Sequence, residues 1–172
     1  MGLFLSTDTG TIWALKDSGL TCSNINSLVL FGTKIFAGTN SGGIFLSSDT
    51  GKSWTAVNNG FTSTAVLSMA VEGSNIFAGT PYQGVFLSSD TGQSWTPVNT
   101  GLDTLNNSIR AIVAQGSTVL VGTYNYSTTH GGVYISHDNG GDWRKISDNM
   151  FIDRTYSLKI SGNYLYAGTY GA

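Results

Sequence analysis

The chain has 172 residues, of which 10% are charged and 40% are hydrophobic, and its formal net charge is −2. A typical soluble domain has about 25% charged residues, so Ser, Thr, Asn and Gly cover much of this surface, as they do in turn-rich all-β proteins. The hydrophobic content excludes a disordered chain. The acidic balance argues against nucleic acid or an anionic membrane as a partner, and no apolar run is long enough for a membrane-spanning helix.

The first predicted strand, residues 2–6, leads into an eight-residue phrase that the chain repeats three more times. Its pattern is S-x-D-x-G-x-x-W, and its aspartates are 41, 41 and 48 residues apart. A period near 40 residues is the signature of one supersecondary unit repeated around a ring or along a stack. The four copies, which contain every tryptophan of the chain, use Ser6, Asp8, Gly10 and Trp13; Ser47, Asp49, Gly51 and Trp54; Ser88, Asp90, Gly92 and Trp95; and Ser136, Asp138, Gly140 and Trp143.

A second phrase alternates with the first and predicts another strand in each unit. It ends in Gly-Thr, and its glycines, 41, 43 and 46 residues apart, are Gly38, Gly79, Gly122 and Gly168. In one full unit the predicted strands are A at residues 66–71, B at 75–80, C at 84–88 and D at 94–99, separated by turn-forming residues. Four short antiparallel strands in about 40–45 residues indicate a β-propeller blade. A sandwich or a solenoid is the alternative, but neither requires a tryptophan phrase at one fixed hairpin.

The tryptophan phrase resembles the Asp-box, or BNR repeat, of sialidases, sortilin-type receptors and photosystem assembly propellers. The resemblance covers the whole chain and implies that each box forms the turn between strands C and D. Its aspartates can accept hydrogen bonds from their own turn, its glycines can take a positive φ, and its tryptophans can pack between blades. Ile12 and Asp142 replace the usual Ser or Thr before the first and fourth tryptophans. The boxes are therefore expected to be structural rather than catalytic or metal-binding.

The repeat predicts a single propeller domain with four blades, one of them a composite of the two chain ends. If the C-terminus is imagined as joined to the N-terminus, the distance along the chain from Gly168 through Ala172 and Met1 to Gly38 is 42 residues, which is one more period. Such a closure would remove two exposed sheet edges. The alternatives are a homo-oligomer that pairs open blade edges between chains, and a chain that is part of a longer protein. The predicted parts, in chain order, are strands C and D of the composite blade (1–20), three unbroken blades (21–60, 61–101 and 102–149), and strands A and B of the composite blade (150–172).

The resemblance to sialidases raises glycoside hydrolysis as a function. Sialidases use an arginine cluster, a tyrosine nucleophile with a glutamate partner, and an acidic proton donor. This chain has three arginines and a single glutamate, Glu72, which is predicted in a turn between strands A and B. The sequence therefore favours a non-catalytic binding or scaffold module that needs no metal or cofactor, in a secreted or periplasmic location. A remnant or fragment of a sialidase-like glycoside hydrolase and a self-assembling structural repeat are the alternatives.

The B–C and D–A loops are expected on the face opposite the boxes, and this face varies most along the chain. The third B–C loop, residues 124–132, has nine residues where the first two have four. Tyrosines and amides suit a glycan or a protein ligand, because they combine an apolar ring face with neutral donors and acceptors. Since this loop has no Lys, Arg, Asp or Glu, binding is expected to be insensitive to salt. The candidate ligand-binding residues are Tyr82, Gln83, Tyr124, Asn125, Tyr126, His130 and Tyr170.

Overall fold

A computed structural model describes residues 2–102, 107–125, 131–148 and 154–170. In these ranges the regular structure is β-strand, the strands of each sheet pair antiparallel, and no helix is long and apolar enough to cross a membrane. The predicted all-β fold with four-stranded antiparallel sheets is confirmed. The strands are β1 (Phe4–Leu5), β2 (Ala14–Leu15), β3 (Ile25–Phe31), β4 (Lys34–Thr39), β5 (Ile44–Ser47), β6 (Thr55–Ala56), β7 (Ser68–Glu72), β8 (Asn75–Gly79), β9 (Val85–Ser88), β10 (Thr96–Pro97), β11 (Asn107–Gln115), β12 (Thr118–Asn125), β13 (Gly132–Ser136), β14 (Arg144–Lys145), β15 (Arg154–Ser161) and β16 (Tyr164–Tyr170).

The repeating unit is a meander of four strands. The sheets β3–β6 and β7–β10 have this order, and β11–β14 repeats it within a larger sheet. In the unit whose strands were predicted individually, β7, β8 and β9 begin and end within two residues of the predicted A, B and C strands. The pairing between the B and C strands has the same register in each unit, through the pairs Gly38–Ile44, Gly79–Val85 and Gly122–Val133.

The D strands are shorter than the sequence predicted. Strands β6, β10 and β14 have two residues each, whereas a strand was expected over residues 94–99. After β10, the N–H of Val98 donates to the carbonyl of Val85 at 2.9 Å, and the Val85 N–H donates to Oδ1 of Asn99 at 2.8 Å. The side chain of Asn58 accepts the equivalent bond from Ile44 at 2.8 Å. A side chain thus replaces the last backbone bond of the ladder, and the strand ends early.

Three of the A strands contain a bulge that the sequence did not predict. The register of β3, β11 and β15 against their B strands shifts by one residue at Asn26, Arg110 and Tyr156. A bulge leaves one residue out of the ladder and changes the direction of its side chain. The bulges therefore decide where Arg110 and Tyr156 lie.

The apolar core lies between neighbouring sheets. Phe36 and Ile44 of one sheet pack with Val66, Ile76 and Trp95 of the next sheet. Equivalent clusters lie on either side of this one, and each contains a single box tryptophan. Because the B and C strands are covered on both faces, they contain continuous apolar runs rather than an alternating pattern.

The two ends of the row of sheets are half units. The hairpin β1–β2 is a separate two-stranded sheet, and the hairpin β15–β16 joins the preceding sheet through one pair, Tyr124 with Arg154. Among the described residues, β1 pairs only with β2, and β16 pairs only with β15. The predicted composite blade is therefore not confirmed by the part of the chain that the structure describes. Pairing within β15–β16 closes a two-residue turn and pairing within β1–β2 closes an eight-residue loop, whereas pairing β16 with β1 would join the two chain ends at a larger cost in loop-closure entropy.

Candidate functional site

The second Asp-box is the turn between β5 and β6, and its hydrogen bonds show how the motif holds its shape. The hydroxyl of Ser47 donates to Oδ1 of Asp49 at 2.8 Å and accepts from the N–H of Gly51 at 2.8 Å. The N–H and the hydroxyl of Ser53 donate to Oδ1 and Oδ2 of the same carboxylate, at 2.9 and 2.6 Å. Both carboxylate oxygens are thus engaged inside the turn, and the third box repeats this arrangement around Asp90.

The first and fourth boxes have fewer of these bonds, because Ile12 and Asp142 carry no hydroxyl. Only the backbone N–H at these positions donates to the box carboxylate, from Ile12 to Asp8 at 2.9 Å and from Asp142 to Asp138 at 3.0 Å. Hydrogen bonds to the ionised form lower the pKa of a carboxyl group. The two serines that precede Trp54 and Trp95 therefore make the middle boxes the more strongly bonded pair.

Acid is expected to destabilise the chain through Asp49 and Asp90. Donation from Ser53 and Ser94, together with the box serines, lowers the pKa of each carboxyl from 3.8 to about 2. Because the pKa is lower in the folded state, this stabilisation is complete above the unfolded pKa and is lost as the pH falls through the folded pKa. We expect the melting temperature, followed by circular dichroism, to fall between about pH 4 and pH 2. The variant Ser53→Ala should reduce that fall, and a melting temperature independent of pH over this interval would contradict the account.

Each box turn contains two successive residues with a positive φ. Glycine adopts this conformation without steric cost, whereas a β-branched residue is strained there. The hydroxyl of Thr50 donates to the carbonyl of Asp49 at 2.6 Å, which helps to hold the turn. The sequence indicated the glycines but not the residues before them, since a threonine gives no signal for this conformation. The φ angles are 59° and 98° at Thr9 and Gly10, 60° and 82° at Thr50 and Gly51, 60° and 83° at Thr91 and Gly92, and 59° and 91° at Asn139 and Gly140.

Three of the four box tryptophans fill the junctions between sheets. Trp54, Trp95 and Trp143 are 3–4% exposed, whereas Trp13, which has no sheet before it, is 60% exposed. The indole N–H of Trp13 donates to Gly10 in its own turn, at 3.0 Å. The buried indoles instead donate to the preceding unit, with Trp54 bonded to the carbonyl of Lys16 (2.9 Å), Trp95 to that of Val57 (2.8 Å) and Trp143 to that of Val98 (2.8 Å).

On the loop face opposite the boxes, basic and aromatic side chains gather where β12, β15 and β16 meet. We call Arg110, Tyr124, Arg154, Tyr156 and Tyr170 the Tyr124 cluster. The guanidinium carbon of Arg154 lies 4.9 Å from the ring centroid of Tyr124 and 5.3 Å from that of Tyr170. The guanidinium carbon of Arg110 lies 5.1 Å from the Tyr124 centroid, and the Tyr156 ring packs edge-on against Tyr124 at 5.8 Å. One tyrosine ring therefore holds two cations close together.

This arrangement gives a positively charged aromatic site on a chain whose net charge is −2. Guanidinium groups are attracted to the face of an aromatic ring, and they bind carboxylates through two parallel N–H···O bonds. Nε of Arg110 is buried and has no hydrogen-bond partner among the described residues. The rings of Tyr156 and Tyr170 remain largely exposed beside the cations. The chemistry of the cluster suits an anionic ligand that also offers an apolar surface.

The structure brings together two of the seven predicted ligand-binding residues. Tyr124 and Tyr170 lie on either side of Arg154. Tyr82 and Gln83 lie in the β8–β9 loop of the preceding unit, where Tyr82 is exposed and Oε1 of Gln83 accepts from Thr62 at 2.8 Å. Tyr126, His130 and the side chain of Asn125 lie outside the described residues.

Sequence reasoning missed Arg110, Arg154 and Tyr156, because it selected loops whose length breaks the period and these residues belong to A strands. The residue at the bulge position of the A strand differs from unit to unit, and this variation could have indicated a functional position. The four residues, in chain order, are Asn26, Leu67, Arg110 and Tyr156. The expectation of salt-insensitive binding considered only the loop at residues 124–132. The structure adds two guanidinium groups about 5 Å from the Tyr124 ring, so binding there is now expected to weaken with salt.

Within the described ranges, no group of three His, Cys, Asp or Glu side chains could hold a metal ion. Glu72 pairs with Asn75 at the β7–β8 turn, which in an antiparallel blade lies on the same face as the box hairpins. The one glutamate and the Tyr124 cluster therefore belong to opposite faces.

Repeated four-stranded sheets with an Asp-box at the C–D hairpin define a propeller of the Asp-box class. Residues 42–152, more than half of the chain, match the model of the Sortilin-Vps10 family, described as sortilin, neurotensin receptor 3. The chain therefore belongs to the Sortilin-Vps10 family. A comparison with curated proteins gives no match.

Solved structures share this fold at low sequence identity. The computationally designed Ika4 protein has a TM-score of 0.69 and 13% identity, with 88% of this chain and 89% of that chain covered. The GH74 enzyme of Niastella koreensis has a TM-score of 0.66 and 22% identity, with 86% of this chain and 26% of that chain covered. YCF48 bound to D1 peptide has a TM-score of 0.66 and 12% identity, with 93% of this chain and 51% of that chain covered. The chain thus spans about half the length of YCF48 and about a quarter of the GH74 enzyme.

Proposed function

We propose that this chain is a non-catalytic propeller that binds a protein ligand, and that the Tyr124 cluster is the binding site. The observation that carries the proposal is the pair of guanidinium groups, from Arg110 and Arg154, that face one tyrosine ring on the loop face. Two cations at this spacing favour a carboxylate, and the exposed tyrosines favour an apolar group next to it. The ligand class is therefore a peptide segment that carries a carboxylate.

The choice of a peptide over a glycan has support from the comparisons as well as from charge. YCF48, which shares the fold over 93% of this chain, is a propeller solved with a bound peptide. A neutral glycan would use the tyrosines and amides of the loop face but would offer no anion to either guanidinium group. An anionic peptide satisfies both parts of the cluster.

The absence of catalysis is part of the proposal, and the chemistry of the carboxylates supports it. The aspartates of the middle boxes have a pKa of about 2, so they stay ionised at neutral pH and have no proton to donate as general acids. Glycoside hydrolysis generally needs two carboxyl groups about 5–10 Å apart beside the substrate. The box carboxylates are engaged in their own turns, on the face opposite the tyrosines.

Replacing Arg154 with glutamine is expected to weaken binding of an acidic peptide by about tenfold or more, which corresponds to about 1.4 kcal/mol. Glutamine keeps a shorter polar side chain but removes the positive charge between Tyr124 and Tyr170. The measurement is a fluorescence-anisotropy titration with a labelled peptide that is rich in Asp and Glu and has a free C-terminus. The affinity of the parent chain should also fall as salt screens the charges.

Arg144→Gln is the matched control, because Arg144 is exposed on β14 next to a box tryptophan and outside the cluster. It changes the net charge by the same amount and should leave the affinity unchanged. Equal weakening by Arg144→Gln and Arg154→Gln would show that the peptide responds to overall charge and would contradict the site. Unchanged affinity in Arg154→Gln would also contradict the proposed site.

The glycosidase alternative has a direct test. Incubation with a fluorogenic sialoside should release no fluorophore above the rate of the buffer alone. Hydrolysis that is lost in a variant of a single carboxylate would replace the proposed binding function with a catalytic one.

A further inference from the structure

The N-terminal half unit exposes residues that are buried in every complete unit. Phe4 is 51% exposed, whereas the residues at the same position of the other C strands are nearly inaccessible: Phe45 and Phe86 at 2%, and Tyr134 at 6%. Trp13 shows the same contrast with the other three box tryptophans. The half unit therefore packs against the sheet β3–β6 on one side, whereas the face that carries Phe4 and Trp13 has the side chains of a core but no described sheet to cover it.

The C-terminal half unit also exposes residues whose equivalents are buried in a complete unit. Leu165 and Tyr166 are 40% and 59% exposed, although the equivalent residues Ile76 and Phe77 are fully buried. Between the β15–β16 hairpin and the preceding sheet lies a cleft of about 450 Å³ with apolar walls that include Leu120, Ile135, Ile160 and Leu165. One unit earlier, the residues equivalent to Ile135 and Ile160 are Leu87 and Ala114, and these pack against a core. The cleft therefore lies where the C and D strands of a complete unit would pack.

The sequence of β1 and its flanking residues fits this cleft. The four C strands read Leu-Phe-Leu-Ser at 3–6, Ile-Phe-Leu-Ser at 44–47, Val-Phe-Leu-Ser at 85–88 and Val-Tyr-Ile-Ser at 133–136. All three complete B–C pairs have one register. Applied to β16, that register places Leu3 opposite Gly168, Phe4 opposite Ala167, Leu5 opposite Tyr166 and Ser6 opposite Leu165.

We propose that the β1–β2 hairpin of a second copy of this chain completes the C-terminal half unit, by pairing β1 with the open edge of β16. Within one chain both edges stay unpaired, and an exposed strand edge with apolar side chains is a template for another chain. Two copies joined in this way have two identical junctions related by a twofold axis. The pair is then a closed ring in which β16 and β1 no longer have an open edge.

The existing junctions define the contacts that the new junction makes. Each buried indole donates to the carbonyl of the residue three positions after the preceding box tryptophan. At the new junction this relation joins the Trp13 indole to the carbonyl of Ile146 in the other copy. Each complete unit also covers its B-strand glycine with an A-strand side chain of the next unit, as Val66 covers Gly38. Ile25 of the other copy takes this position over Gly168.

The test is a pair of single-cysteine chains, both carrying Cys22→Ser so that the native thiol is absent. One chain carries Leu5→Cys and the other carries Tyr166→Cys. Directly opposite residues on paired strands have Cβ atoms about 4.5–5.5 Å apart, within reach of a disulfide after slight adjustment. Mild oxidation of the dilute mixture should give a linked pair of the two different chains. A mixture of Leu5→Cys with Leu165→Cys is the register control and should not link, because residue 165 faces the other side of the strand.

Light scattering on the unmodified chain decides the copy number. We expect twice the chain mass of 18.1 kDa, and we expect Phe4→Asp to reduce it to one chain mass with an unchanged circular-dichroism spectrum. Phe4 is already half exposed in the single chain, so this change affects pairing rather than folding. A single-chain mass for the parent would overturn the proposal, and so would a mass of three or more chains. A chain with both Leu5→Cys and Tyr166→Cys that links only to itself would show closure within one copy and would also overturn it.

Discussion

Replacing Trp54 with alanine is expected to lower the free energy of unfolding by about 3–5 kcal/mol, the range for removing a large buried aromatic side chain. The indole is 4% exposed between the β1–β2 hairpin and the sheet β3–β6, where it packs with Ala37 and Phe45. Alanine leaves a cavity there and removes the hydrogen bond to the carbonyl of Lys16. Urea unfolding followed by circular dichroism measures the change.

Trp54→Phe is the control for this prediction. Phenylalanine keeps most of the ring but cannot donate to the Lys16 carbonyl, so the loss should be about 1–2 kcal/mol. Alanine and phenylalanine variants of equal stability would show that packing at this junction contributes nothing. An alanine variant as stable as the parent would contradict the view that box tryptophans hold neighbouring sheets together.

Gly60→Ala is expected to be destabilising for two separate reasons. Gly60 has a φ of 77°, so a side chain there is strained by about 1–2 kcal/mol. An added Cβ would also clash with the carbonyl oxygen of Trp95 in the next unit. Because that oxygen belongs to the backbone, the junction itself must shift, which adds about 1–3 kcal/mol.

Gly73→Ala separates the two effects. Gly73 has a φ of 58°, but an added Cβ would have no atom within 4 Å. It should therefore show the backbone strain alone, and Gly60→Ala should be the less stable variant in the same urea titration. Equal losses would mean that the close approach between units has no energetic consequence. The same approach occurs at Gly19 with Trp54 and at Gly101 with Trp143.

The fold was predictable to the level of individual strands, because the repeat supplies the same evidence several times. The Asp-box marks the hairpin between strands C and D, and the Gly-Thr phrase marks strand B. One unit therefore gives the order of its four strands. The sequence could not give the length of the D strands. Asn58 and Asn99 end those strands by side-chain bonds to Ile44 and Val85, and an asparagine in a loop does not reveal which N–H it will bind.

The binding site was predictable only in part, and the reason is geometric. Tyr124 and Tyr170 were selected because the sequence predicted them on the free loop face, and they lie at the ends of β12 and β16. Arg110 and Tyr156 reach the same place because a bulge turns one strand residue out of the ladder. The pattern of apolar residues does not encode that local irregularity, so only the structure could place Arg110 and Tyr156 beside Tyr124.

The ends of the chain show a different limit of sequence reasoning. Phe4 and Phe45 occupy the same position of the repeat, yet one is half exposed and the other is buried. The difference in exposure depends on whether a neighbouring sheet covers the residue. The repeated sequence does not encode the presence of that neighbour. The period predicts that the two half units are complementary, and it leaves open which chain supplies the partner.

The central claim is that an anionic peptide binds where Arg110 and Arg154 face the ring of Tyr124. Hydrogen exchange measured by mass spectrometry, with and without a saturating acidic peptide, tests this claim most directly, because it locates the ligand along the chain. Slower exchange is expected in residues 107–125 and 154–170, with no change in the box hairpins at 47–54 and 88–95. Protection of the box hairpins without protection of those two segments would contradict the account.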